Sequence, residues 1–480
     1  MNETFWRCIV LLRYFLPASY YFIFHNDYKT ITPYILKAGP MCIKLGQWLS
    51  TRRDILPHRL CDTLQTLQSH INFHSPGYSR KVIESEMGGS IADMFASFEK
   101  KPFNSGSIAQ VHRAVMKNGD SVVVKVIHPH VKKQLLLDYD ILNWFSRFSV
   151  VDFRPIMKQI VMQSNLKTEA AHVNSLNDNF EAIVHIHFPK AVFSTERVLI
   201  ETEIPGHSHS EFIKRHPENT EDAKLLKLVA YYKMVCNDNL VHGDLHPGNI
   251  LAWKDDVGGD IHIGIVDPSP SIKMKRSKSL MLDSFSKIMT CDPKIIGQLL
   301  LQCNVNENAR IRKFKQAINR LPSRFRNLSK LGDALFRHIR ECNIVLDGET
   351  SFLIFSYFLV NENLKDYKQM HLRVILYIIQ NKVFDIRQLL SGTIKHLVES
   401  NQLNPDMLNK LMKLQKTDTA TLRSTATDIH KELLQGMRLK PHSVPQKDAP
   451  DAPDAPDAPD APDAPDSSDI ADTSDIDESD

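Results

Sequence analysis

Leu240-Val241-His242-Gly243-Asp244-Leu245-His246-Pro247-Gly248-Asn249-Ile250-Leu251 is the stretch on which the reading of this chain turns. It has the form H-x-D-x-x-x-x-N. Phosphoryl transfer uses that spacing for a physical reason: the Asp orients or deprotonates an attacking hydroxyl, and the Asn five residues on turns back to ligate magnesium. Pro247-Gly248 supplies the tight turn that this return needs. Asp244 is therefore the expected catalytic base and Asn249 an expected metal ligand. His242 and His246 have the i,i+4 spacing of a zinc pair, but Pro247-Gly248 directly after them interrupts the helix such a pair requires.

Working outward, Asp267 follows the apolar run IHIGIV (261–266) and stands before Pro268. A second magnesium carboxylate belongs there, at the end of a strand after a hairpin; a plain strand-ending Asp is the alternative. Upstream, Val122-Val123-Val124-Lys125-Val126-Ile127 sets a lysine inside an apolar strand. Burying it requires a partner. The functional reading is a lysine that holds the α- and β-phosphates, paired with a helix glutamate; the other is a lysine on an exposed edge. Glu169 is the preferred partner and Glu181 the weaker rival. Asn104-Ser105-Gly106-Ser107-Ile108-Ala109-Gln110 precedes the strand pair 107–116 and 121–129, which Asn118-Gly119 joins. It stands where a phosphate-covering loop would, though it is not G-x-G-x-x-G, and a simple hairpin loop is the competing reading.

The rest of the chain reads mostly as helix: 30–100, 132–187, 219–236 and 279–415, with a β-rich stretch at 191–204. The expected organisation has five parts: an apolar membrane-associated segment (1–29), a helical extension (30–101), an N-lobe (102–204), a helical C-lobe (205–420) and an acidic tail (421–480). Phe5–Phe24 is apolar enough to approach a bilayer span. Arg7, Arg13 and Pro17 oppose that and leave an interfacial or re-entrant helix, anchored by the two arginines, as the alternative. From Asp448 onward there are 13 acidic residues and no basic ones; the remainder has 59 basic against 43 acidic residues, about +16. Such a body suits phosphate ligands or an anionic membrane surface. The six Asp-Ala-Pro triplets over 448–465 are expected to be extended and disordered. Seven scattered cysteines without a CxxC imply a reducing compartment. No nucleic-acid-binding pattern stands out.

These residues together resemble the UbiB family, the aarF-domain-containing kinases, and most closely its animal aarF-domain-containing kinase 2 branch. Lys44-Leu45-Gly46-Gln47 matches the KxGQ motif. Ser107-Ile108-Ala109-Gln110-Val111-His112 matches the end of the nucleotide loop, Lys125 the strand lysine, Thr168-Glu169-Ala170 the helix glutamate, and Val198-Leu199-Ile200-Glu201-Thr202 the hinge. HGDLHPGN is similar to the catalytic loop, and Asp267 stands where the metal-binding Asp does. The resemblance implies an α+β, bilobal protein-kinase-like fold with an N-terminal helical extension. It implies ATP and Mg2+ as cofactors, with Ser107, Ile108, Ala109, Lys125, Glu169 and Glu201 at the nucleotide. Asn249 and Asp267 would hold the metal, and Lys44 and Gln47 would gate the site. It also implies a lipid or isoprenoid ligand, coenzyme Q synthesis proteins as partners, and the inner mitochondrial membrane as location. Three departures stand out. The family's acidic ExD pair is Gln163 and Asn165; its Ala-Ala-Ala-Ser loop is Asn-Ser-Gly-Ser; its D-x-G is Asp267-Pro268-Ser269. They open a second reading, a pseudokinase scaffold for lipid-synthesis enzymes. A small-molecule phosphotransferase of the antibiotic or choline kinase type shares the H-x-D-x-x-x-x-N loop, but KLGQ in a long extension argues against it.

Overall fold

In a computed structural model, the chain is described over residues 3–25, 27–50, 52, 56–68, 73–145, 154–243, 245–255, 259–268, 271–274, 277–301, 309–322, 325, 328–342, 344, 348–361, 367–399, 405–418 and 421–438. Residues 1–430 form one compact unit; of the second, 431–480, the described part is the end of a helix. The Asp-Ala-Pro tail and Asp244 lie outside the described residues.

The chain opens with helices α1 (Glu3–Tyr20), α2 (Tyr28–Ala38), α3 (Pro40–Ser50), α4 (His58–Gln65), α5 (Pro76–Met87) and α6 (Ile91–Met94). Ser75 caps α5 by accepting from Tyr78 N, Pro76 occupies its first turn, and Gly88 ends it in the left-handed region. Then come β1 (Phe95–Phe98), β2 (Asn104–Ser105), β3 (Ala109–Met116) and β4 (Ser121–Ile127), helices α7 (Val131–Phe145), α8 (Arg154–Met162) and α9 (Leu166–Phe180), and strands β5 (Ile186–His187), β6 (Ala191–Ser194) and β7 (Val198–Thr202). The main sheet runs β1-β3-β4-β7-β6, with β2 added on β3. Its first strand comes from residues 95–98, inside the stretch read as helical from sequence. Phe95 is buried among valines of β4 and β7, and that packing outweighs the helical context.

Strand alternation divides the labour of β4. Val122, Val124 and Val126 pack with Val198 and Ile200 under Val82 and Ile83 of α5. Ile127 points to the other face, where Leu199, Met41 of α3, Leu135 of α7, Ile160 of α8 and Ala170 of α9 form a second core. Lys125 lies on this second face, as the period of two requires. The extension helix α3 is therefore packed on the functional side of the sheet.

The chain leaves β7 through Glu203–Gly206. Gly206 has φ +102, and a Cβ there would meet the Ala252 carbonyl at 2.5 Å, so only glycine permits this close passage. Next come β8 (His207–Ser208), α10 (His209–Arg215), α11 (Thr220–Lys233), β9 (Leu240–His242), β10 (Ile250–Lys254), β11 (Ile261–Ile265) and β12 (Ser271–Lys273). A second sheet has the order β5-β11-β10-β8, and β12 pairs with β9. The remaining elements are α12 (Lys278–Met289), α13 (Pro293–Leu301), α14 (Ala309–Arg320), α15 (Leu328–Glu341), α16 (Gly348–Val360), α17 (Tyr367–Gln380), α18 (Arg387–Glu399), α19 (Pro405–Lys416) and α20 (Leu422–Arg438). A sheet-based lobe carrying the lysine, a linker, and a helical lobe carrying the H-x-D-x-x-x-x-N loop make this a protein-kinase-like α+β fold.

Two buried histidines in the helical lobe give a pH prediction. His371 lies between the hydroxyls of Tyr232 and Tyr357, the latter at 2.8 Å, and burial lowers its pKa to about 3. His209 is lowered to about 3 by burial and by Lys227 and Lys224. Both fold neutral, so below the unfolded value near ~6.5 the unfolded state binds protons that the folded state refuses. Stability is fully present above that pH and falls by about 1.4 kcal/mol per unit per histidine below it. The urea midpoint is expected to be level from pH 8 to 7 and to drop steadily towards pH 5. His371→Phe should shallow that slope.

Candidate nucleotide and metal site

Lys125 reaches the site from the middle of β4. Its ammonium lies 2.6 Å from Glu169 Oε1, 3.1 Å from Glu201 Oε1 and 3.4 Å from Asp267 Oδ1. Burial alone would lower its pKa, but these three carboxylates hold it well above the ordinary lysine value. Burial pushes Glu169 and Glu201 up, against the pull of Lys125. Glu169 sits in the first turn of α9, where it also suits the helix dipole. Its rival Glu181 is exposed at the far end of the same helix. Glu201 lies diagonally across the strand pair, since Lys125 stands opposite Leu199 and Val123 opposite Glu201. Its side chain meets the lysine of the inner wall rather than the linker that the hinge resemblance implied.

Asp267 comes from the other lobe. Its φ is +54, a left-handed backbone that costs an ordinary residue about 1–2 kcal/mol and turns the chain out of β11 towards the cleft. Partial burial works to raise its pKa; Lys125, Lys44 and His242 together carry it below the ordinary aspartate value. His242, at the end of β9, is buried and bonds through Nε2 to the Val266 carbonyl at 3.1 Å. Thus the His of the motif braces the backbone beside Asp267, while His246 Nδ1 accepts from Gly248 N at 3.0 Å. The two rings have separate tasks and form no metal pair. Asn249 is buried at the end of the Pro247–Asn249 turn, and its carbonyl accepts from Val266 N at 2.9 Å. Asn249, just before β10, and Asp267, just after β11, thereby stand at the same end of the paired strands. An amide and a carboxylate are hard oxygen donors, which fit magnesium shared with phosphates. Among the described residues no group of three or more His, Cys, Asp or Glu side chains is placed to hold a metal ion.

Around this centre, Ser107 and Ile108 are buried and Ala109 opens β3; Ser107 Oγ has no hydrogen-bond partner among the described residues. The loop is held from behind. His128 Nε2 bonds to the Gly106 carbonyl at 2.9 Å, and His128 Nδ1 lies 2.7 Å from Nδ1 of His74. His74 in turn joins Ser79 and Gln110, and Ser79 Oγ carries the chain on to His112 Nε2 at 3.0 Å. Gln110 and His112 of the SIAQVH stretch thus build a brace. Lys44 is half-buried on α3 and close enough to act on Asp267, and Gln47 Nε2 donates to the Leu67 carbonyl at 3.0 Å. Gln163 is buried without charge, and Asn165 caps α9 by accepting from Lys167 N.

The chain is similar to known proteins over part of its length. Residues 66–300 match the ABC1 atypical kinase-like domain. A probable serine/threonine-protein kinase, abkC, of Dictyostelium discoideum is 36% identical over 46% of this chain and 34% of its own length. An ABC1 family protein of Schizosaccharomyces pombe, described as mitochondrial, is 32% identical over 45% and 38%. The probable protein kinase UbiB of Shewanella denitrificans is 30% identical over 66% and 62%. The chain thus spans between about a third and three fifths of the length of these relatives. Among solved structures, the Rv3197–erythromycin complex from Mycobacterium tuberculosis aligns with 62% of this chain and 88% of that one, at TM-score 0.40 and 18% identity. Over residues 66–300 the chain is thus similar to the ABC1 and UbiB atypical kinases.

Proposed function

We propose that this protein binds ATP as its magnesium complex and acts as an atypical kinase or ATPase. The observation that carries the reading is the single ammonium of Lys125 bridging Glu169 of one lobe and Asp267 of the other. That bridge puts a phosphate-gripping cation beside a metal-binding carboxylate. Asp244 is the base by its place in the motif, Asn249 and Asp267 hold the metal, and Ser107–Ala109 cover the phosphates. Lys44 and Gln47 gate the cleft. Bound magnesium would neutralise phosphate charge; the chain's own residues position the nucleotide and exclude water.

The setting we propose is mitochondrial coenzyme Q or lipid metabolism, at the inner membrane, with coenzyme Q synthesis proteins as partners and a lipid or isoprenoid as ligand. The description of the S. pombe relative as mitochondrial supports the location; the coenzyme Q and lipid setting rests on the motif resemblance. Assignment to the aarF-domain-containing kinase 2 branch rests on motif sequence. Among the described residues no helix is long and apolar enough to cross a membrane. The helix α1 instead exposes Phe5, Trp6, Ile9, Leu12, Phe15 and Leu16, a face suited to a membrane surface. A second reading, nucleotide binding without turnover by a pseudokinase scaffold, is favoured by the neutral Gln163 and Asn165 and by Pro268 after the metal-binding Asp267.

Titration with ATP and magnesium tests both. The melting temperature of the wild type is expected to rise at millimolar nucleotide, and Asp267→Asn should lose most of the magnesium-dependent part. No rise for the wild type rejects the nucleotide reading. A rise without phosphate release in single turnover selects the pseudokinase.

A further inference from the structure

The cleft wall holds one carboxylate more than gripping a phosphate requires. Three carboxylates crowd the Lys125 ammonium: Glu169 and Asp267 accept hydrogen bonds from it, and Glu201 Oε1 stands in ion-pair contact at 3.1 Å. A phosphate oxygen has to displace one of these partners to reach the ammonium. Burial determines which one. The side chains of Glu169 and Glu201 are 7% and 2% exposed, whereas Asp267 is 53% exposed and makes the longest contact. Glu201 is also singular in its second oxygen, Oε2, which is buried with no hydrogen-bond partner. A carboxylate held at one oxygen and orphaned at the other is costly to keep, and Lys125 already has Glu169.

Building on the nucleotide reading above, we propose that Glu201 is a selectivity residue: it makes the cleft accept nucleotide phosphates only together with a divalent cation. Three carboxylates face Lys125 and the half-buried Lys44, so the site carries an anionic excess before any ligand arrives. A bare polyphosphate meets that excess and a lysine already ringed by carboxylates. Asp267, the exposed partner, would turn to a divalent cation and leave its place at the ammonium open to a phosphate oxygen. Glu201 cannot be drawn off, because it is enclosed on β7. Without its charge, the lysine would be able to grip a metal-free nucleotide.

The test is equilibrium binding of ADP and ATP to the full chain, in EDTA and in magnesium, for the wild type, Glu201→Gln and Glu201→Met. The wild type is expected to bind much more weakly in EDTA. Either substitution should tighten metal-free binding by about tenfold or more and shrink the EDTA-to-magnesium ratio of dissociation constants accordingly, as removal of one adjacent charge predicts. Two variants are used so that one poorly folded protein leaves the other to decide, with ligand-free melting temperature reporting on folding. An unaltered EDTA-to-magnesium ratio in the folded variants overturns the role of Glu201 and leaves nucleotide binding standing. A wild type that binds in neither condition overturns both.

Discussion

Lys125→Met is expected to destabilise the folded chain by about 3–5 kcal/mol, the cost of breaking a buried ion pair from one side. The substitution keeps the volume of the lysine stem and removes the cation that, among the described residues, pairs with both Glu169 Oε1 and Glu201 Oε1. Two enclosed carboxyl groups must then be protonated or left uncompensated. Their folded-state pKa values, already raised by burial with the lysine present, rise further without it. A carboxyl with a raised folded pKa loses stability as pH climbs above its unfolded value near ~4.3. The deficit against wild type should therefore be largest at pH 7 to 8 and shrink towards pH 5. Lys125→Met/Glu169→Gln/Glu201→Leu should recover most of it, because replacing a whole buried ionic cluster is far milder than halving one. Nucleotide binding should stay lost in the triple variant, which separates the lysine's structural and ligand roles. Denaturant midpoints across that pH range, beside a nucleotide titration, check the set; Lys125→Met melting with the wild type would show that the carboxylates are not enclosed as described.

The parts of this site that were legible in the sequence are those where a local pattern fixes geometry. Asn-Gly between two valine-rich runs dictated a hairpin, which placed Lys125 mid-strand. Pro247-Gly248 required the turn that sets Asn249 beside the end of β11. The apolar run before Asp267 required a strand. The contacts that escaped depend on register. Glu201 meets Lys125 only because β7 pairs antiparallel to β4 with Leu199 opposite the lysine, and nothing within either strand states that offset. The brace from His74 through His128 to Gly106 joins residues 54 and 22 positions apart; two histidines scattered along a sequence give no period from which to infer a cluster. Residues 95–98 were read as helix because their neighbours are helical, and only the β3 edge makes them a strand.

Removing the Arg7 side chain should produce the second large effect. The sequence offered Arg7 and Arg13 as equivalent anchors for an interfacial helix, and the structure separates them. Arg7 Nε and Nη2 donate to both oxygens of Asp138, at 2.6 and 2.8 Å, and Nη2 also donates to the Ala38 carbonyl. The Asp138 side chain is fully buried, and burial raises its pKa against the pull of Arg7. Beside the pair, Leu11, Ala38, Cys42 and Ile141 close a small core. Arg13 is exposed. Arg7→Ala leaves Asp138 enclosed without its cation and is expected to cost about 3–5 kcal/mol; Arg13→Ala should change stability by less than about 0.5 kcal/mol. Arg7→Met/Asp138→Leu should regain most of the loss by replacing both charges with packing volume. Hydrogen exchange adds a spatial readout: in Arg7→Ala, amides of α1 and of α7 around Asp138 should lose protection together, while those of β4 and β7 keep theirs. Equal effects of the two arginines would mean that α1 is not clamped to α7. If the effects separate as stated, the exposed aromatic face of α1 is carried on the folded body by a buried ion pair. Any membrane surface that receives that face then receives the kinase-like domain in a fixed orientation.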